Sequence, residues 1–120
     1  MGLESTISQY SERIIKQKEE VKLLEEQETQ QKELAKLFRA KMNIFRRENG
    51  VNFLFQMNSA QQTIFKNLRS GLYDAQSNAI SLGNRQYGLF SSIKNDTLKL
   101  GQFKNTQLLF NYHNSQYGNG

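Results

Sequence analysis

The chain contains no proline, no cysteine and no tryptophan, and only one histidine. Without proline, nothing in its 120 residues forces a helix to break, so long uninterrupted helices are open to it. Without cysteine there is neither a disulfide framework nor a thiolate metal site. That fits a reducing compartment, or an exported protein that does not rely on disulfides. Long apolar runs are missing as well: nothing approaches the roughly 18 consecutive apolar residues of a membrane-spanning helix. The opening MGLESTISQY lacks the apolar core of a signal peptide. Hydrophobic residues make up 37% of the chain and the mean hydropathy is −0.72. Two long helices of this length would bury little of their own surface.

The residues that carry chemistry are equally sparse. Asp74 and Asp96 are the only aspartates, and His113 lies near the Asn/Gly-rich end. Glu25, Glu26 and Glu28 cluster in sequence but have no paired histidines beside them, so no metal site is expected. There is no GxSxG, no GxxxxGK[ST] and no GxGxxG. No catalytic residue and no cofactor are expected, and the reading is non-enzymatic. The net charge is +5, unevenly spread. Residues 1–60 hold ten Lys/Arg against nine Asp/Glu, and residues 61–120 hold six against two. Lys66, Arg69, Arg85, Lys94, Lys99 and Lys104 are spaced rather than clustered. Nucleic-acid binding usually draws on a concentrated basic face, so no nucleic-acid partner is expected.

What the chain does have is a period. Leu3, Ile7, Tyr10, Ile14, Gln17, Val21, Leu24, Glu28, Gln31, Ala35, Phe38, Met42, Phe45 and Asn49 recur in steps of four and three. That is the seam of a coiled-coil-type helix, about 3–48, some ~70 Å long at 1.5 Å per residue. Gln17, Glu28 and Gln31 interrupt the seam with polar groups, which cost stability but can fix register and partner choice. From residue 34 the apolar face widens as Leu34, Leu37 and Ile44 join it, and a wider face asks for a second contact. Arg46 and Arg47 then sit where cations complement the end of the helix dipole. Asn49-Gly50 supplies the left-handed backbone of a turn over 49–52.

The second helix is expected over about 53–110, on a face of Met57, Ile64, Leu68, Leu72, Ala75, Ala79, Leu82, Leu89, Ile93, Leu100, Phe103 and Phe110. That face holds only if a four-residue slip is allowed near Leu68–Leu72. "LGNRQYGLF" at 82–90 carries two glycines, each costing about 1 kcal/mol relative to Ala. The segment is therefore either one helix or two, about 53–82 and 89–110. Gly71, Ala75, Ala79 and Gly83 recur every four residues, either to let two helices approach closely or by accident. A short turn between long helices sets them antiparallel. The expected fold is thus all-α: one long helical hairpin domain over 1–112, then a flexible tail, 113–120.

Five of the eight phenylalanines, Phe38, Phe45, Phe53, Phe55 and Phe65, fall near the hairpin's tip. Two helices hide one stripe each and cannot hide that many large side chains at one end. The expected partner-binding residues are Leu34, Leu37, Phe38, Ile44, Phe45, Phe53, Phe55 and Phe65. A hetero-oligomer is expected rather than a monomer.

A Gln/Glu/Lys-rich first helix leading into "ELAKLFRAKMNIFRRENGVNFLF", a central turn and a second helix resembles the small WXG-like proteins of type VII secretion. More closely, it resembles the small helical partners of LXG toxins. The resemblance is one of architecture over residues 3–110. It implies a targeting or chaperone role, pairing with a toxin's helical domain or with a second small helical protein. Asn49-Gly50 supplies a glycine at the turn without the Trp of a Trp-x-Gly motif. Phe90 is followed four residues later by Lys94, and Tyr112 by Gln116, rather than by the acid of an export signal. The resemblance therefore implies a companion subunit, cytoplasmic or co-secreted with its cargo. The other reading is a self-assembling structural subunit of a phage, filament or secretion apparatus.

Overall fold

A computed structural model describes residues 2–50 and 57–118. Two long α-helices account for nearly all of them: α1, Leu3–Asn49, and α2, Ser59–His113, followed by a five-residue π-helical turn, Asn114–Gly118. They pack against each other as an all-α helical hairpin. The chain divides into two compact units. Residues up to Leu23 together with those from Gln86 onward form a terminal unit, and Leu24–Arg85 form a central unit.

α1 forms for local reasons. Glu4 stands in its first turn and Arg46 and Arg47 in its last, each matching the helix dipole. At its end Asn49 Nδ2 donates to the carbonyl of Phe45 at 2.7 Å. Gly50 then turns left-handed with φ 56°, the conformation expected of the Asn-Gly pair. The start of α2 expected at residue 53 falls outside the described residues. Its first helical residue is Ser59, and the reason is a cap. Asn58 Oδ1 accepts from the Gln61 amide at 2.8 Å, while Gln61 Oε1 accepts from the Asn58 amide at 3.0 Å. This reciprocal pair satisfies two amides that a helix start leaves without partners. α2 does not break at Gly83–Gly88, and it stays helical to His113, into the segment whose Asn and Gly content reads as a tail.

The seam of α1 is the one its sequence spells out. All fourteen positions from Leu3 to Asn49 are buried or half-buried, and elsewhere on the helix only Thr6 and Ser11 are not exposed. α2 carries an equally regular seam: Gln61, Phe65, Leu68, Leu72, Ala75, Ala79, Leu82, Gln86, Leu89, Ile93, Asp96, Leu100, Phe103 and Gln107, all buried or half-buried. Steps of four and three run through it without a slip. Ile64 and Phe110, expected on this face, are 50% and 58% exposed. Phe65 holds the seam position next to Ile64.

Within each unit the helices are antiparallel. In the central unit Phe45 stacks on Phe65 with ring centroids 6.1 Å apart, and Asn49 Oδ1 accepts from Gln61 Nε2 at 2.8 Å. Farther along, Gln31 Oε1 accepts from Asn78 Nδ2 at 3.3 Å. Its core is Leu24, Ala35, Met42, Phe45, Ala75 and Ala79. Burying side chains as large as Phe45 or Met42 stabilises by about 1.5–3 kcal/mol each. The recurring small residues mark a close approach. A Cβ at Gly71 would lie 2.5 Å from ring carbons of Phe38, and one at Gly83 would lie 2.9 Å from Glu28 Oε2. In the terminal unit Tyr10 meets Phe103 at 5.4 Å, and Arg13 Nε lies 3.1 Å from Asp96 Oδ2. Ile14 and Val21 are its buried apolar residues, and Gln86 and Asp96 are buried beside them.

Candidate interaction surface

The seam is complete without Leu34, Leu37 and Ile44. Each immediately precedes a seam residue (Ala35, Phe38 and Phe45), so at 100° per residue all three lie on the same flank of the stripe. They are 38%, 49% and 48% exposed. Lys41 occupies the same row between Leu37 and Ile44. The widened apolar face thus becomes a line of aliphatic side chains beside, and not in, the central unit's core. On α2 of the same unit, Ile64, Tyr73 and Ile80 are also exposed.

The aromatic residues divide differently. Phe45 is buried, at 9% exposure, and Phe38 and Phe65 are half-buried seam residues. Lys41 Nζ lies 5.9 Å from the centroid of the Phe38 ring, and the Arg69 guanidinium lies 6.0 Å from that of Phe65. Cations over the open faces of these rings offset part of their exposure. Phe53 and Phe55 lie outside the described residues. Of the eight residues expected to bind a partner, the structure therefore places three on an open flank and three in the seam.

Exposed apolar groups also occur where the sequence pattern did not point. In the terminal unit Leu98 is 59% exposed, and Leu108, Leu109, Phe110 and Tyr112 are 58–70% exposed. The last four come after Gln107, the final seam residue of α2. Phe110 and Gln107 border an open recess with Gly2, Leu3 and Glu4 at the start of α1.

Among the described residues, no group of three or more His, Cys, Asp or Glu side chains is placed to hold a metal ion. No described helix is long and apolar enough to cross a membrane. His113 stands 5.2 Å from the ring of Tyr117, one helical turn away. Comparison with protein-family models, with curated proteins and with solved structures gives no match.

Proposed function

We propose that this protein is a non-enzymatic interaction module that holds a helical partner against the central unit. One observation carries the reading: Leu34, Leu37 and Ile44 form a row of nearly half-exposed aliphatic side chains outside a seam already filled by other residues. A helix laying its own apolar stripe along that row would remove the three side chains from water. At about 25 cal/mol per Å² of apolar surface, such burial is a usual source of association free energy. The narrower setting comes from the resemblance to small partners of LXG toxins. In that setting the chain is a targeting or chaperone subunit, and the partner is the helical domain of a secreted toxin.

Hydrogen exchange of the protein with and without a co-expressed LXG-type helical domain tests this. New protection is expected within 34–49 and 59–65. Protection confined to 85–110 would move the surface to the other end. No complex with any such domain would remove the secretion setting.

A second reading, a self-assembling structural subunit, draws on Leu98, Leu108, Leu109 and Phe110, which stay exposed in the terminal unit. Light scattering across a concentration series separates the two. Growth of the purified chain into larger species favours self-assembly, and a concentration-independent monomer favours a foreign partner.

A further inference from the structure

The flank of the seam opposite Leu34 and Leu37 has a different character. Lys32, Lys36 and Arg39 each immediately follow a seam residue, so they line up on that other side. With Ile80 facing them and Ala35 and Ala79 beneath, they border an open groove of about 430 Å³ in the central unit. The two alanines explain the recess. Both are buried seam residues, 7% and 8% exposed, and too small to fill the space above the helix contact. No acidic side chain lines the groove. Glu28 Oε1 approaches Lys32 Nζ at 3.7 Å, while Lys36 and Arg39 have no acidic partner among the described residues.

The charge bias extends beyond the groove. Between Leu34 and Arg47, α1 carries Lys36, Arg39, Lys41, Arg46 and Arg47 and no acid. Between Gln61 and Tyr73, α2 carries Lys66 and Arg69 and no acid. A site with an apolar floor and one cationic wall discriminates among ligands. A free anion would leave Ala35, Ala79 and Ile80 uncovered, and a nucleic-acid strand would find no aromatic ring on which to stack. A linear recess along two packed helices is the place where a third helix completes a bundle.

We infer that this groove receives an acidic amphipathic helix of another protein. Small or aliphatic residues of that helix lie on Ala35, Ala79 and Ile80. Its carboxylates, at matching four- and three-residue steps, face Lys32, Lys36 and Arg39. The inference is independent of the aliphatic row on the opposite flank.

The probe is a synthetic helix of about 18 residues, long enough to hold helical structure when docked. It carries Glu along one flank and Ala and Leu along the adjoining face, and anisotropy reads its binding to the full chain. Saturable binding that weakens as salt rises is expected. The Lys36→Glu/Arg39→Glu variant is expected to weaken it about tenfold or more. The same variant should bind a Lys-for-Glu peptide better than the parent does. Both side chains are exposed, so the helical content of the variant should match the parent's by circular dichroism. Should it not, Lys36→Gln/Arg39→Gln replaces it, with the same direction expected. Leu37→Ser/Ile44→Ser should leave peptide binding unchanged, which separates this groove from the other flank. Equal binding of a Gln-for-Glu peptide would overturn the proposal. So would a dimer of the parent chain abolished by Lys36→Glu/Arg39→Glu. Capture by phosphatidylglycerol vesicles without any binding of the acidic peptide would assign the groove to a lipid surface instead.

Discussion

The two units share one heptad plan and differ in how they treat the polar residues placed in it. In the central unit the polar seam residues find partners. Asn49 bonds Gln61, Gln31 bonds Asn78, and Glu28 approaches Lys32. In the terminal unit they are answered only in part. Gln107 Nε2 donates to Asn111 Oδ1 at 3.1 Å on its own helix, but Gln17 Oε1, Gln86 Nε2 and Gln107 Oε1 are buried with no hydrogen-bond partner among the described residues. Asp96 Oδ2 has the Arg13 guanidinium 3.1 Å away, yet the contact is not aligned as a hydrogen bond. A seam position can thus be polar at little cost if a neighbouring side chain answers its polar atoms, and at the cost of a stranded polar atom if none does. The central unit also has more buried apolar residues, so it should be the stiffer half.

Breaking that advantage should give the largest effect. Phe45→Ala removes a buried ring and the stacking partner of Phe65 at the end of the central unit. A loss of about 3 kcal/mol is expected in urea denaturation, at the low end for a Phe truncation because Phe65 is half-open and can relax inward. A loss under about 1 kcal/mol would mean that this end of the hairpin carries little of the fold's stability.

The terminal unit should respond next, through its ion pair. Arg13→Ala leaves the carboxylate of Asp96, 4% exposed, without its cation and is expected to cost about 2 kcal/mol. The guanidinium side of the pair is 59% exposed, so water can reach in and limit the damage. Replacing both residues, Arg13→Met with Asp96→Leu, should restore or exceed the parent's stability, since an apolar layer then needs no partner. A double variant as unstable as Arg13→Ala would show that the pair itself holds the register.

A smaller effect separates answered from stranded glutamines. Gln86→Leu should raise stability by about 1 kcal/mol, because it removes a buried amide nitrogen that has no partner. Gln31→Leu, in the central unit, gives up a bond to the exposed Asn78 and should change stability by less than about 0.5 kcal/mol. Equal gains from both would erase the distinction between the units.

The same polar residues decide how much could be read from the sequence. The α1 seam was legible in full, because its four polar members, Gln17, Glu28, Gln31 and Asn49, stand in strict steps among apolar ones. On α2 the polar share is the same, Gln61, Gln86, Asp96 and Gln107 of fourteen, but Ile64 and Phe110 offer exposed apolar alternatives just outside the seam near its two ends. Hydrophobicity alone then finds a broken stripe, recruits Ile64 in place of Phe65, and needs a slip that the helix does not have. The cap Asn58-Ser59-Ala60-Gln61 was readable from its spacing, but the aromatic run before it drew the expected start of α2 toward residue 53. At the candidate surface, the sequence placed the excess of apolar residues near the turn. Which members the partner helix covers depends on rotation about α1. That rotation sets Phe38 and Phe45 in the seam and leaves Leu34, Leu37 and Ile44 beside it.

Glycines give the finest test of the comparison, since each sits on α2 and differs only in what lies opposite. Gly88 and Gly101, in the terminal unit, have nothing within 4 Å of a built Cβ. Alanine there should gain close to the full helix-propensity difference, about 1 kcal/mol at each site. At Gly83 the added methyl would meet only the flexible carboxylate end of Glu28, which can swing aside, so a smaller gain should survive. At Gly71 it would meet the Phe38 ring at 2.5 Å. Turning that ring outward exposes aromatic surface, and the propensity gain should be cancelled or reversed. Thermal melts of the four single alanine variants should therefore rank Gly101 and Gly88 first, Gly83 next and Gly71 last. If Gly71→Ala stabilises as much as Gly101→Ala, the helices of the central unit do not approach as closely as Gly71, Ala75 and Ala79 would allow. The recess over Ala35 and Ala79 would then have to be explained without that close approach.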